Sequence, residues 1–154
     1  LTDVILKDFR TRWAVMDSVL LNNTVAENWT AQPDSGDLWS HCAIVPLYVT
    51  FMSIAGIKPT MPGFARCAIT PRPGSLEKLE LTAHTVRGDI VFRSHGRRGD
   101  RELRLRVPDG MEAEVKLDTR ERVTLTPVPG KKYPRYSHFL LPAGTETVLG
   151  LKFT

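Results

Sequence analysis

The chain has 154 residues, 42% hydrophobic and 25% charged, with a formal net charge of +4. That is the size and composition of a globular domain able to bury a core without staples. No apolar run is long enough to span a bilayer, so no membrane partner is expected.

Residues 1 to about 58 read as helical. Ile5, Phe9, Trp13, Met16 and Leu20 recur at steps of four, four, three and four, the spacing of one helix face. Lys7, Asp8, Arg10, Arg12 and Asp17 fall largely off that line. Asn22 and Asn23 supply a stop. The polar stretch TVAENW, residues 24 to 29, follows and carries an acid, Glu27, two residues before Trp29. Taken by itself, Glu27 is an exposed loop acid or a cap on a helical turn. A second helix is expected from Ser40 as cap through the apolar run Ala43 to Ala55, with Gly56 as its C-terminal stop and Pro59 beyond. Pro46 either kinks this helix or marks its first turn. Leu47, Val49, Phe51, Met52 and Ile54 cover more than one face, so the helix is expected to be buried on several sides.

From about residue 64 the period changes to two. RCAIT, LEKLELTAHTV, GDIVFRS, RELRLRVP, MEAEVKLD, ERVTLTPV and TVLGLKF read as strands, separated by the turn signals PRPG, RGD, GRRGD, PDG, VPG and PAG. Leu103, Leu105 and Val107 alternate with Arg104 and Arg106, and Val115 and Leu117 with Glu114 and Lys116. Each strand thus has a dry and a wet face, as in an antiparallel β-sandwich, which is expected to be the independently stable unit. The segment GKKYPRYSHF, residues 130 to 139, reads as a loop. Cys42 and Cys67 form no CxxC pair and read as buried free thiols. His41, His84, His95 and His138 lack ligand spacing, so neither a metal nor a cofactor is expected. The interleaved charges of RSHGRRGDRELRLR, residues 93 to 106, read as a solvated hairpin, not a nucleic-acid surface: no aromatic side chain lies among them to stack on bases.

The join AGIKPTMPGFARCAITPRPG, residues 55 to 74, is distinctive. It resembles the C-terminal portion of α-L-rhamnosidases of glycoside hydrolase family 78, in which the last helices of an (α/α)6 barrel run into a C-terminal β-sandwich. The stretch RGDI followed by ELRLRVPDGMEAEVKLD is similar to that family as well. The resemblance implies an α + β chain in two parts: 1–58 as the last helices of a truncated barrel and 59–154 as the sandwich. It also implies a role for TVAENW. Family members carry a T-x-x-E-x-W element whose Glu is the proposed general base, and the matching residues are Thr24, Glu27 and Trp29. In an inverting glycosidase one carboxylate activates water on one sugar face while a carboxylic acid protonates the leaving oxygen from the other, the two lying roughly 6.5–9.5 Å apart.

The resemblance further implies a sugar-binding His before the last barrel helix. Residue type places it on His41, and counting back from Gly56 places it on Ser40; an ordinary surface role for His41 stands beside both. Trp29 and Trp39 are candidate sugar-stacking platforms, with plain packing as the other reading, and packing is the reading for Trp13. The general acid and most sugar contacts are expected upstream, so the chain reads as a fragment of a longer protein, inactive as it stands. Its expected partners are a rhamnose-containing glycan or glycoside, the remainder of its own chain, and a second copy through the helices. The competing reading is a non-catalytic carbohydrate-binding or structural sandwich, which would carry an exposed aromatic strip on a sheet face. The sequence does not separate a cytoplasmic from a periplasmic setting.

Overall fold

The computed structural model describes residues 1–30, 44–117, 121–123 and 138–153. Two compact units emerge, Leu1–Thr50 and Phe51–Thr154, dividing ahead of the 58/59 boundary read from the sequence.

In the first unit the expected single helix is broken. Helix α1 (Thr2–Asp8) widens into a π-helical turn, Phe9–Trp13, closed by the Ala14 amide on the Phe9 carbonyl at 2.8 Å. Met16 is extended (ψ 139°) and caps a new helix, α2 (Asp17–Asn22). The wide turn and the restart rotate the apolar stripe out of register. Leu6, Met16 and Ser18 are buried, whereas Leu20, read as the end of the stripe, is 64% exposed. Asn23 does stop the helix. Its left-handed φ of 53° turns the chain, and its amide and that of Thr24 bond back to Val19 and Ser18. Helix α3 (Val45–Val49) has Pro46 in its first turn and leads into a second π-helical turn, Thr50–Ile54. The expectation of burial on several sides is corrected here: Ile44, Val45, Leu47 and Tyr48 are exposed, and burial is complete only from Ile54. Ser40 and the residues to 43 lie outside the described residues.

The second unit contains two sheets. Strands β1 (Ile57–Pro59), β2 (Arg66–Ile69), β6 (Glu112–Lys116) and β8 (His138–Leu141) form one, in the order β1-β2-β6-β8. Strands β3 (Lys78–Thr85), β4 (Gly88–Arg97), β5 (Asp100–Arg106), β9 (Thr147–Phe153) and β7 (Glu121–Val123) form the other, in the order β3-β4-β5-β9-β7. One hydrophobic cluster draws on both: Ile57, Cys67, Ile69 and Val115 from the first, and Phe92, Leu103, Leu105 and Leu149 from the second, among others. The alternation read from the sequence is the alternation of burial in β5 and β6. One pairing departs from the antiparallel expectation. Strands β2 and β6 are parallel, Cys67 opposite Ala113. Between them the chain makes the β3–β5 meander in the other sheet, which gives a crossover long enough to return in the same direction.

Strands β1 and β8 were not anticipated. Strand β8 takes in the end of the segment read as a loop; residues 130–137 lie outside the described residues. Strand β1 depends on Gly56, which has φ +73°; a Cβ there would sit 2.1 Å from the Thr70 carbonyl oxygen. Only glycine lets the two segments close, with the Thr70 amide on the Gly56 carbonyl at 3.0 Å and the Arg72 amide on the Ile54 carbonyl at 2.8 Å. The chain then turns through Gly63 and Phe64, both left-handed (φ 60° and 55°), and half-buried Phe64 packs against the core.

Outward faces carry paired charges. Arg93 and Arg104 stand directly opposite on β4 and β5, a repulsive arrangement. Glu146 lies 3.7 Å from each, and Glu102 accepts from Arg104 at 2.6 Å. Glu77 pairs with Arg97 at 2.9 Å. The arginine-rich segment is thus a charge-compensated hairpin, β4–β5. His95 meets Glu80 at 2.7 Å, and His138 meets Glu114 across β8 and β6. Cys67 is free and fully buried against Met111, and burial pushes its thiol pKa up to about 11; Cys42 lies outside the described residues.

Three outcomes follow from this packing. Residues 51–154 expressed alone should unfold in one cooperative thermal transition. A version starting at residue 63 loses β1 and the buried Ile54, Ala55 and Ile57, a loss of about 4 kcal/mol, or roughly 20 °C in Tm. Equal Tm values would show that β1 is dispensable. Gly56→Ala should be harsher, since φ > 0 alone costs about 1–2 kcal/mol and the overlap with Thr70 adds to it. Chemical denaturation should report a loss of about 3 kcal/mol or more, and a change under 1 kcal/mol would sink the close-approach argument. The third outcome concerns acid. His95 and then Lys78 hold Glu80 below its ordinary 4.5, and Lys116 and then His138 do the same for Glu114. A depressed carboxylate contributes stability that is present above the unfolded value and lost as pH falls through the lower folded one. The Glu80→Gln, Glu114→Gln double variant should therefore melt below the wild type at pH 6 and level with it at about pH 2.5. A gap that persists in acid would assign the difference to packing.

Candidate functional site

The loop that leaves α2 is organised by three local events. Asn23 turns the chain out of the helix. Ala26 is buried, at 2% exposure. Asn28 closes a turn, its side-chain oxygen accepting from the Thr30 amide and hydroxyl, both at 3.1 Å. Glu27 stands between these last two with its side chain exposed. Among the described residues it enters no ion pair, so its carboxylate is open to solvent and to whatever faces this loop.

Trp29 folds back onto the first helical segment. Its ring meets that of Trp13 edge-on, with centroids 4.7 Å apart and planes at 68°. The Arg12 guanidinium carbon lies 4.2 Å from the Trp29 ring centroid, over its face. Asp8 serves both neighbours: Oδ1 pairs with Arg12 Nη1 at 3.2 Å, and Oδ2 accepts from Trp13 Nε1 at 3.0 Å. An open groove of about 390 Å³ runs beside this cluster, lined by Arg12, Val15, Met16, Asp17 and Trp29. Trp29 is 46% exposed. Arg12 covers one face of the ring and Trp13 packs against it in a T-shaped contact, and Trp29 also lines the groove.

Of the residues singled out in the sequence, the structure places Glu27 and Trp29 in one exposed loop and sets Trp13 against Trp29. His41, Trp39 and Ser40 lie outside the described residues. Sequence reasoning passed over Asp8 and Arg12, assigning both to the solvent side of a regular helix. Asp8 and Arg12 are four apart, an ordinary surface pair; nothing in that spacing signals that Arg12 also covers an indole seventeen positions on. The competing reading expects an exposed aromatic strip on a sheet face; Tyr133, Tyr136 and the Phe153 side chain lie outside what is described, and the other aromatic side chains of the β half are turned inward. Phe92 is fully buried, and Phe64 and Phe139 pack against the core. No helix among the described residues is long and apolar enough to cross a membrane.

The model of the bacterial α-L-rhamnosidase C-terminal domain family matches residues 56–132, half of the chain, and the chain belongs to that family. It begins at Gly56, the residue that opens the two-sheet unit. Solved structures agree on the fold. The α-L-rhamnosidase from Dictyoglumus thermophilum superposes with a TM-score of 0.59 at 20% identity, over 82% of this chain and 16% of that one. The Streptomyces avermitilis α-L-rhamnosidase, solved in complex with L-rhamnose, gives 0.56 at 23% identity, over 97% of this chain and 14% of that one. The chain thus spans about one-sixth or less of the enzymes it resembles. A search of curated proteins found no match.

Proposed function

We propose that this chain is the C-terminal part of an inverting α-L-rhamnosidase, an enzyme releasing terminal α-L-rhamnose from glycosides, and that Glu27 is its general base. One observation carries the reading: a family-defining domain opens at Gly56, and upstream of it an ordered loop holds a solvent-open carboxylate in the T-x-x-E-x-W pattern. In this reading residues 1–58 close an (α/α)6 barrel and residues 59–154 are its C-terminal β-sandwich. The exposure of Leu1, Val4, Leu20, Leu21, Leu47 and Tyr48 supports a covering partner for the helices, and the remainder of the barrel fits that need. Without it, these exposed side chains would favour association of two copies.

The chemistry assigns Glu27 one proton. Its carboxylate takes a proton from a water molecule as the water oxygen bonds to the anomeric carbon. The glycosidic bond breaks on the opposite face, and a carboxylic acid elsewhere in the enzyme protonates the departing oxygen. His41 or Ser40 is assigned to the sugar from its place before the last helix, and Trp39 as a stacking platform from its residue type. The groove beside Trp29 sets the indole and Val15, apolar surface for a deoxy sugar's methyl group, beside the charged Arg12 and Asp17.

In the complete enzyme, Glu27→Gln should lower kcat on an aryl rhamnoside by roughly 10²–10⁴-fold and change KM far less, because the amide keeps the shape but cannot accept the proton. Near wild-type kcat would end the assignment. The 154-residue chain alone should hydrolyse nothing.

A further inference from the structure

We infer that Arg12 is a positioning residue for Glu27, acting through the indole of Trp29. The inference rests on the base assignment for its catalytic consequence, but its structural content is independent of it.

The geometry forms a closed circuit. Asp8 holds the Arg12 guanidinium through one carboxylate oxygen and the Trp13 indole N–H through the other. Those two groups are the ones that contact Trp29, the guanidinium carbon 4.2 Å from its ring centroid and the Trp13 ring in a T-shaped contact with centroids 4.7 Å apart. A single carboxylate on α1 therefore sets where the Trp29 ring lies. Trp29 follows Glu27 by two positions, and buried Ala26 immediately precedes it. The backbone of Glu27 is thus pinned on both sides, with the Asn28 turn between it and the Trp29 anchor. A general base must hold its carboxylate within a few tenths of an ångström of the attacking water's position, and displacement by about 1 Å can cost on the order of 10²-fold. An exposed loop without tertiary anchors does not meet that tolerance. The Arg12–Trp29–Trp13 stack supplies the anchor downstream of Glu27.

Arginine suits this task better than lysine because its planar guanidinium both stacks on the ring and reaches the carboxylate of Asp8 in a fixed geometry. The assignment also changes the role of Trp29. A ring covered on one face by a cation serves first as the pin of the Glu27 loop, and that face is closed to a sugar.

The test has two arms. In the 154-residue chain, hydrogen exchange of the amides of residues 24–30 reads the loop directly. Arg12→Gln should speed that exchange by about tenfold or more, and Arg12→Lys, which keeps the cation, should speed it less. Trp29→Phe, which keeps a ring for the cation, should fall between. Unchanged exchange in Arg12→Gln overturns the proposal whatever the activity shows. In the complete enzyme, Arg12→Gln should lower kcat by roughly 10–100-fold with KM within about twofold, and Arg12→Lys should recover only part of that loss. Placed on a Glu27→Gln background, Arg12→Gln should cost little more, since there is no base left to position. An equal loss in both backgrounds would show that Arg12 acts by itself and would overturn the positioning role. If Glu27→Gln alone leaves kcat intact, the base assignment fails, and the exchange arm still decides whether Arg12 orders the loop.

Discussion

The absence of a side chain at Gly56 is the constraint on which the two-sheet unit turns. The chain arrives there from a helical turn and must become the edge of a sheet within one residue. It does so by laying its backbone against Thr70, so close that the Thr70 carbonyl oxygen would lie 2.1 Å from any Cβ. That contact brings Ile57 opposite Ile69 and fixes the register of β1 on β2. The register then carries outward, because β2 pairs in turn with β6, and β6 with β8. A glycine at the end of a helix is common. Here it does a second thing, setting the first rung of a ladder.

Much of this was legible in the sequence, and the parts that were not have physical causes. Strands with a half-buried period of two announced themselves, and Leu103, Leu105 and Val115 are buried where alternation placed them. Strand β1 escaped because it is three residues long and ends in Pro59, too short for a period and signalled only by its partner. Strand β8 escaped because it begins within a segment rich in Lys, Tyr and Pro, whose composition reads as irregular. The parallel pairing of β2 with β6 is a matter of chain path between sheets, which no local pattern encodes. In the helical unit the error was of the opposite kind. The spacing of Ile5, Phe9, Trp13, Met16 and Leu20 fits one helix, but a π-helical turn adds a residue to the repeat and Met16 leaves the helical region altogether.

For the candidate site, the sequence pointed to the loop and to its acid but not to what holds them. Glu27 and Trp29 could be named only through the family resemblance, since TVAENW by itself reads as an ordinary loop. Asp8 and Arg12 could not, because their contacts with Trp13 and Trp29 combine a helical neighbour with a distant one, and only the fold brings the two indoles edge to face. His41 and Trp39 lie outside the described residues.

The position of β9 has a consequence for how the domain comes into being. It is the last described strand along the chain, yet it lies inside its sheet, between β5 and β7. Until residues 147–153 have left the ribosome, β5 presents an open edge, with Leu103 and Leu105 lacking the neighbour that completes their layer. The β8–β9 connection also closes late: the Gly144 amide bonds the Val107 carbonyl at 2.8 Å, and Asp109 crowds Gly144 from the β5–β6 turn. The domain therefore cannot complete itself during synthesis from its leading end. Its core waits for β9, and for that interval the nascent chain depends on being kept from other open edges.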